Sequence, residues 1–295
     1  MSDFLMRSLL FVPAHNEKFM RSAAKSEADI LLFDIEDSVQ PAENKQVARS
    51  MALKLMQEGI FCDRIIFPRI NDRESGHLLK DVTQLAIKGI TGFMYPKAKR
   101  GEDIYFFDKL LETIEYEKGV EKGTFKIIPL IETTSAVMNV FEICTASPRV
   151  IAIAYGSEDF ITDLQGVHDA EHQSLFTPRA MIAMAARAYN IEPIDTVHVR
   201  VKDLEDLEIN LKISRKLGFG GMLALNPIEL PLIHQYFSPS EIEVENAREM
   251  LRLDEEARKD NRGVAIMNGK FIGPPFVAKA KKILKKHDQI MSKRT

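Results

Sequence analysis

Lys126-Ile127-Ile128-Pro129-Leu130-Ile131-Glu132 and Val150-Ile151-Ala152-Ile153-Ala154-Tyr155-Gly156-Ser157-Glu158-Asp159 are two apolar runs that each end in acid. A run of this kind, bounded by helix-like sequence, reads as a strand buried on both faces of a parallel sheet. The acids then lie at the C-terminal ends of two strands and face one rim. Ligands bind at that rim in α/β sheets and barrels, because the strand-to-helix loops vary there without disturbing the core. Two carboxylates with no dense basic cluster nearby in sequence suit a hard divalent cation that keeps several waters, as Mg²⁺ does. Solvated loop acids or helix N-caps are the other reading of the same residues.

Outward from these runs, strand and helix patterns alternate. Ser8–Pro13, Ile30–Asp37, Arg64–Asn71 and Gly92–Lys97 read as strands before them, and Asp195–Val199 and Gly221–Leu225 as strands after them. Helical stretches fall near Lys18–Lys25, Glu43–Glu58 and Arg179–Tyr189. Eight strands with helices between them predict an α/β fold, a (β/α)₈ TIM barrel, over residues 1–237. No Gly-rich fingerprint follows any strand, which disfavours a doubly wound nucleotide domain. Residues 238–295 differ in character: Ser238-Pro239-Ser240-Glu241 reads as a helix start, and a charged helix follows to Asp260. Asn261–Pro275 is punctuated by Gly and Pro, Val264–Phe271 reads as a hairpin, and Lys279–His287 is a basic helix with a solvated face. This C-terminal helical and hairpin extension has few apolar residues, so it is expected to pack on a neighbouring subunit.

The chain of 295 residues is 45% hydrophobic and 28% charged, an ordinary soluble composition. With 40 basic and 43 acidic residues the net charge is −3, which argues against nucleic acid and anionic membrane surfaces as partners. Cys62 and Cys144 make neither a disulfide framework nor a metal-ligand spacing; two buried thiols in a reducing compartment are expected. The apolar run Ser8–Ala14 is too short for a signal peptide and no stretch approaches a membrane span, so a cytoplasmic protein is expected.

The polar residues expected where buried strands stop form a set: Arg7, Asp34, Glu36, Asp37, Arg69, Asn71, Lys97, Glu132, Glu158 and Asp159. Unlike charges converging on one mouth cost desolvation unless something binds there. An arginine in such a mouth clamps a carboxylate or carbonyl oxygen. A metal held by Glu132 and Asp159 would polarise a carbonyl and stabilise an enolate. That is the chemistry of making or breaking a carbon–carbon bond next to a carbonyl.

At these residues the chain resembles the citrate lyase β-subunit-like proteins of the HpcH/HpaI aldolase superfamily. The resemblance rests on Arg7–Pro13, Phe33–Val39, Pro68–Asn71, Tyr95–Lys97, Ile131–Thr133, Gly156–Phe160 and Ala188–Val199, and covers nearly the whole chain. It implies a Mg²⁺-dependent carbon–carbon lyase, commonly trimeric. The implied reaction is reversible Claisen-type cleavage of a 3-hydroxy-acyl thioester, citryl-, malyl- or citramalyl-CoA-like, to a keto acid and an acyl-CoA. Glu132 and Asp159 match the metal ligands and Arg69 the residue that grips substrate; Asp34, Glu36 and Asp37 look like acids that hold metal waters and Arg69. Asp37 is also expected among the catalytic residues beside Arg69 and Glu132, and Arg7 and Lys97 among those binding substrate. Two departures stand out. The family's His-Pro pair is Asn226-Pro227 here, followed by Ile228-Glu229, and its C-terminal Gly-Lys-Met-Ile-Asp is Gly269-Lys270-Phe271-Ile272-Gly273, without the acid. That absence leaves open a thioester hydrolase, a CoA-independent keto-acid aldolase, or a member that only binds ligand.

Overall fold

The computed structural model describes residues 4–169, 172–260 and 264–294. They form two compact units, Met1–His234 and Gln235–Thr295. In the first, eight parallel strands alternate with helices: β1 Ser8–Pro13, β2 Ile30–Asp34, β3 Ile65–Ile66, β4 Gly92–Tyr95, β5 Lys126–Ile131, β6 Ala152–Tyr155, β7 Glu192–Asp195 and β8 Gly221–Ala224. They pair in the order β3-β2-β1-β8-β7-β6-β5-β4. The remaining β3–β4 seam is joined by Thr91 N–H to Ile66 O at 3.0 Å and Met94 N–H to Pro68 O at 2.9 Å, which makes the sheet a barrel. Every residue of β2 and β4 is buried, which is why these strands read as continuous apolar runs. Leu9, Leu32, Phe67, Ile128, Ala154 and Leu223 belong to one buried cluster drawn from strands around the barrel.

Several strands are shorter than expected, and the two largest differences, at β3 and β7, bear on the rim. β3 covers only Ile65–Ile66 instead of Arg64–Asn71, because Pro68 has no N–H to give a neighbouring strand. Arg69 nevertheless stays in the sheet: its N–H donates to Phe33 O at 2.8 Å, its carbonyl accepts from Ile35 N–H at 3.0 Å, and it bridges to Met94. β7 runs Glu192–Asp195 rather than Asp195–Val199, since its register with β6 begins at Ala152↔Glu192. The strand therefore reaches the rim at Asp195, and Val197, His198 and Val199 become loop.

The second unit contains the helices Glu241–Lys259 and Pro274–Arg294, the latter longer than the expected Lys279–His287. Between them Ala265–Met267 and Lys270–Ile272 pair antiparallel. The two-residue turn Asn268-Gly269 has positive φ at both positions, 47° and 73°, as a primed hairpin turn requires. Of the punctuated stretch Asn261–Pro275, residues 261–263 lie outside the described residues. Ala257, Ala265, Ile272 and Val277 form a small buried cluster of this unit's own. Cys144 is buried as expected, but Cys62 is exposed. Among the described residues no helix is long and apolar enough to cross a membrane.

Candidate functional site

Glu132 follows β5 directly and is 2% exposed. Its Oε1 accepts the backbone N–H of Lys97 at 2.5 Å. Lys97 takes φ = 53° to make that bond, a left-handed conformation that a non-glycine residue holds only where the surroundings impose it. On the other side stands Gly156: a Cβ there would lie 2.8 Å from Glu132 Cβ and 3.2 Å from Oε2, so only glycine leaves the carboxylate its place. Burial, and then the charge of Glu36, push the Glu132 carboxyl up to about 8. Asp159 and Glu158 are exposed in the first turn of the helix Ser157–Leu164 after β6.

Arg69 supplies the positive charge. Its Nε and Nη2 donate to Asp34 Oδ1 and Oδ2, each at 2.8 Å, a two-pronged pairing that fixes the plane of the guanidinium. That plane lies over the Phe11 ring, 4.6 Å from its centroid. Nη1 remains, 3.2 Å from Glu36 Oε2 and 3.3 Å from Asp37 Oδ2. Burial works against charge on Asp34, yet Arg69 outweighs it and holds the carboxyl below its usual range. Glu36 is the opposite case: burial raises it to about 7 even though Arg69 pulls it down. Its oxygens lie near Arg69 and, at 2.9 Å, Lys97 Nζ, but neither has a well-directed hydrogen bond. The Lys45 ammonium donates to the Glu36 carbonyl from beneath.

A cavity of about 450 Å³ opens among these groups, lined by Asp34, Asp37, Arg69, Glu132, Glu158 and Asp159 together with apolar residues of β1, of the loop after β7 and of the β8 end. The barrel thus brings six of the ten rim candidates onto one cavity. Glu36 and Lys97 stand behind it as an ion pair. Asn71 turns away, its amide and backbone N–H both donating to Asp81 Oδ2 at 2.7 and 2.8 Å. Arg7, expected to bind substrate, is at the opposite rim. It precedes β1 rather than following it, and pairs with Asp29, which precedes β2, at 2.8 and 2.9 Å. Arg7→Ala is therefore expected to lower stability by about 3 kcal/mol, by stranding the buried Asp29 charge, while kcat/KM per folded molecule stays unchanged. Urea denaturation and steady-state kinetics on the same preparation check both halves.

The donor set bears on which metal fits. Among the described residues no three His, Cys, Asp or Glu side chains are arranged as a metal cage. A buried and an exposed carboxylate with solvent beside them suit Mg²⁺, which binds through one or two carboxylates and keeps waters, better than a metal held by a full set of protein ligands. Residues 7–227 match the sequence profile of the HpcH/HpaI aldolase/citrate lyase family. The chain belongs to that family. It is 31% identical over 284 residues to the citrate lyase subunit beta of Leuconostoc mesenteroides subsp. cremoris, covering 96% of this chain and 94% of that one. It is 27% identical over 284 residues to the (3S)-malyl-CoA thioesterase of Cereibacter sphaeroides, covering 96% and 95%. CitE from Mycobacterium tuberculosis, in complex with magnesium, acetoacetate and coenzyme A, superimposes with a TM-score of 0.74 at 25% identity, covering 96% and 98%.

Within this family's frame the β8 departure has a local cause. Asn226 caps the short helix Pro227–Glu229 by accepting Ile228 N–H at 3.1 Å, with Pro227 at its first position. Glu229 Oε2 accepts the N–H groups of Leu225 and Asn226 at 2.9 and 3.0 Å. His198, which the strand reading placed inside β7, is buried on the neighbouring loop. Its Nε2 is 2.9 Å from Asp206 Oδ2, and its Nδ1 is 3.7 Å from Glu229 Oε1, too far for a hydrogen bond but close enough for charge attraction. Sequence reasoning missed this link because a histidine in an alternating strand carries no signal of its partners.

Burial disfavours the charged imidazole of His198, but Glu229 and Asp206 overcome it and the pKa lies above its ordinary value of 6.5. A group raised on folding adds stability that is present below the unfolded value and is lost as pH rises through the folded one. The urea midpoint is accordingly expected to fall as pH is raised from 6 through 8, and to fall less in His198→Gln. Equal slopes in the two proteins would refute this.

Proposed function

We propose that the chain is a Mg²⁺-dependent carbon–carbon lyase of the citrate lyase β type. It would cleave a 3-hydroxy-acyl thioester of the citryl, malyl or citramalyl kind to a 2-oxo acid and an acyl-CoA, or run the reverse condensation. The observation that carries this reading is the convergence of Glu132, Asp159 and Arg69 on one cavity. Glu132 and Asp159 would hold the cation, which when bound supplies Lewis-acid polarisation of the substrate's oxygens. Arg69 offers the Nη1 edge left over from its pairing with Asp34, and donates to the substrate's free carboxylate or the oxygen on the carbon beside it. Asp37, exposed beside that edge, takes the proton of the 3-hydroxyl. The electron pair of the breaking bond passes to the carbon next to the thioester carbonyl, and that carbon takes back the proton Asp37 removed, directly or through solvent. Lys97 acts through its backbone N–H on Glu132 and its ammonium on Glu36.

A second reading, a thioester hydrolase or a CoA-independent aldolase, draws support from Gly273, which stands where the resemblance expects a neighbour-reaching acid. Chromatography of reactions with Mg²⁺ and citryl-, malyl- or citramalyl-CoA separates the two. Acyl-CoA with a 2-oxo acid is the lyase result; free CoA with an intact hydroxy acid is the hydrolase result; EDTA abolishes either. No turnover of any thioester leaves a member that only binds ligand.

The C-terminal unit exposes Ile266, Phe271 and Phe276. We propose that a neighbouring subunit covers them in a homotrimer. Deleting the residues after Ser240 is expected to dissociate the assembly, and a truncated protein that keeps its size in light scattering refutes it.

A further inference from the structure

The cavity mouth is divided. Its charged side chains come from the ends of β2, β3, β5 and β6. Val197 and Val199 after β7, Leu223 and Leu225 of the β8 end, and Phe11 and Pro13 of β1 make a continuous apolar arc over three adjacent strands, while Leu130, Tyr155, Ser38 and Ser157 stand among the charged side chains. Val199 and Leu225 are 51% and 42% exposed, so this arc is presented to whatever enters. Five carboxylates line the cavity, Asp34, Asp37, Glu132, Glu158 and Asp159, against the single guanidinium of Arg69. The cations close by are engaged elsewhere. Lys97 Nζ is on Glu36 at 2.9 Å and Lys45 Nζ is on the Glu36 carbonyl; the Arg200 side chain is 66% exposed, with Nη1 3.7 Å from Asp206, a charge attraction without a hydrogen bond.

Resting on the lyase reading above, we infer that the substrate's carbinol carbon bears a short alkyl group and a single free carboxylate, so that the 2-oxo acid partner is an alkyl monocarboxylate such as pyruvate and not a dicarboxylate such as oxaloacetate. The first carboxylate and the adjoining oxygen are served by Arg69 and the cation that Glu132 and Asp159 would hold. A second carboxylate on the carbinol carbon would be directed either to the acid arc, which repels it, or to Val197, Val199, Leu223 and Leu225, whose side chains offer it neither a charge nor a hydrogen bond. An unpaired charge held in such a place is strongly disfavoured. A methyl or ethyl group on the apolar arc leaves water instead, and is favoured.

The test is calorimetric binding of four free acids, pyruvate, 2-oxobutyrate, glyoxylate and oxaloacetate, to the full-length protein in Mg²⁺, a readout that does not depend on turnover. Pyruvate is expected to bind about tenfold or more tightly than oxaloacetate, and about fourfold more tightly than glyoxylate, which lacks the methyl group. Leu225→Lys, which puts a cation on the apolar arc at an exposed position, is expected to shift the pyruvate-to-oxaloacetate ratio about tenfold toward oxaloacetate. Val199→Lys serves as an independent variant should Leu225→Lys fail to fold. Equal affinity for pyruvate and oxaloacetate in the wild type, or an unchanged ratio in the folded lysine variants, overturns the inference and leaves the lyase reading standing. Failure of all four acids to bind overturns both.

Discussion

Glu132→Gln is expected to lower kcat/KM by about 10³-fold or more while leaving the fold intact. The amide has nearly the volume of the carboxyl, and its oxygen can still accept the Lys97 N–H that Glu132 Oε1 accepts at 2.5 Å. What it lacks is the charge that would draw a cation. In the wild type Mg²⁺ is expected to raise the melting temperature, as any ligand that binds only the native state does, and in the variant that rise should vanish. In EDTA the order of stability reverses. Burial pushes Glu132 from 4.5 up to about 8, so the metal-free wild type loses stability as pH climbs through that interval, because the unfolded chain ionises where the folded one resists. The glutamine variant has nothing to ionise. Its urea midpoint is expected to match the wild type at pH 4.5 and exceed it at pH 8. A wild-type response to Mg²⁺ retained in Glu132→Gln would remove this residue from the site.

Arg69→Lys keeps the charge and discards the fork. Three features depend on the planar guanidinium: the two bonds to Asp34, the stacking on Phe11, and the Nη1 edge toward Glu36 and Asp37. An ammonium satisfies one of these at a time. We expect kcat/KM to fall by about 10²-fold and the native state to lose about 2 kcal/mol, since Asp34 is buried and forfeits a charged hydrogen bond. The backbone of Arg69 should be unaffected, because its bonds to Phe33 and Ile35, and the bonds of Pro68 and Ile70 to Met94 on either side of it, do not involve the side chain. Circular dichroism checks that the barrel persists. Wild-type kcat/KM in a folded Arg69→Lys protein would mean that the guanidinium is architectural and does not touch substrate.

These expectations depend on different kinds of information. The apolar runs ending at Glu132 and at Glu158-Asp159 were legible because a doubly buried strand cannot carry polar residues and a rim can. The same logic places Asp34 and Arg69, each at the end of an apolar run. It misplaces Arg7, which looks like a rim residue in sequence but sits at the start of its strand. In a parallel barrel the start and the end of a strand open on opposite faces, so only strand direction separates a residue of the cavity from one of the floor. The β7 boundary failed for a related reason. Val197-His198-Val199 alternates as a strand does, and only the pairing register with β6 shows that the sheet has already ended.

The sequence by itself determined the eight-stranded parallel fold, the family, and the chemical kind of its rim, since buried apolar runs and the polar residues that stop them are local properties. Tertiary structure alone decided what meets at that rim. The pinning of Arg69 by Asp34, the closeness of Gly156 to Glu132, the left-handed turn at Lys97 and the division of the mouth into acid and apolar arcs all join residues far apart in the chain. Such contacts are set by register and barrel closure, and these arise from the packing of all eight strands together.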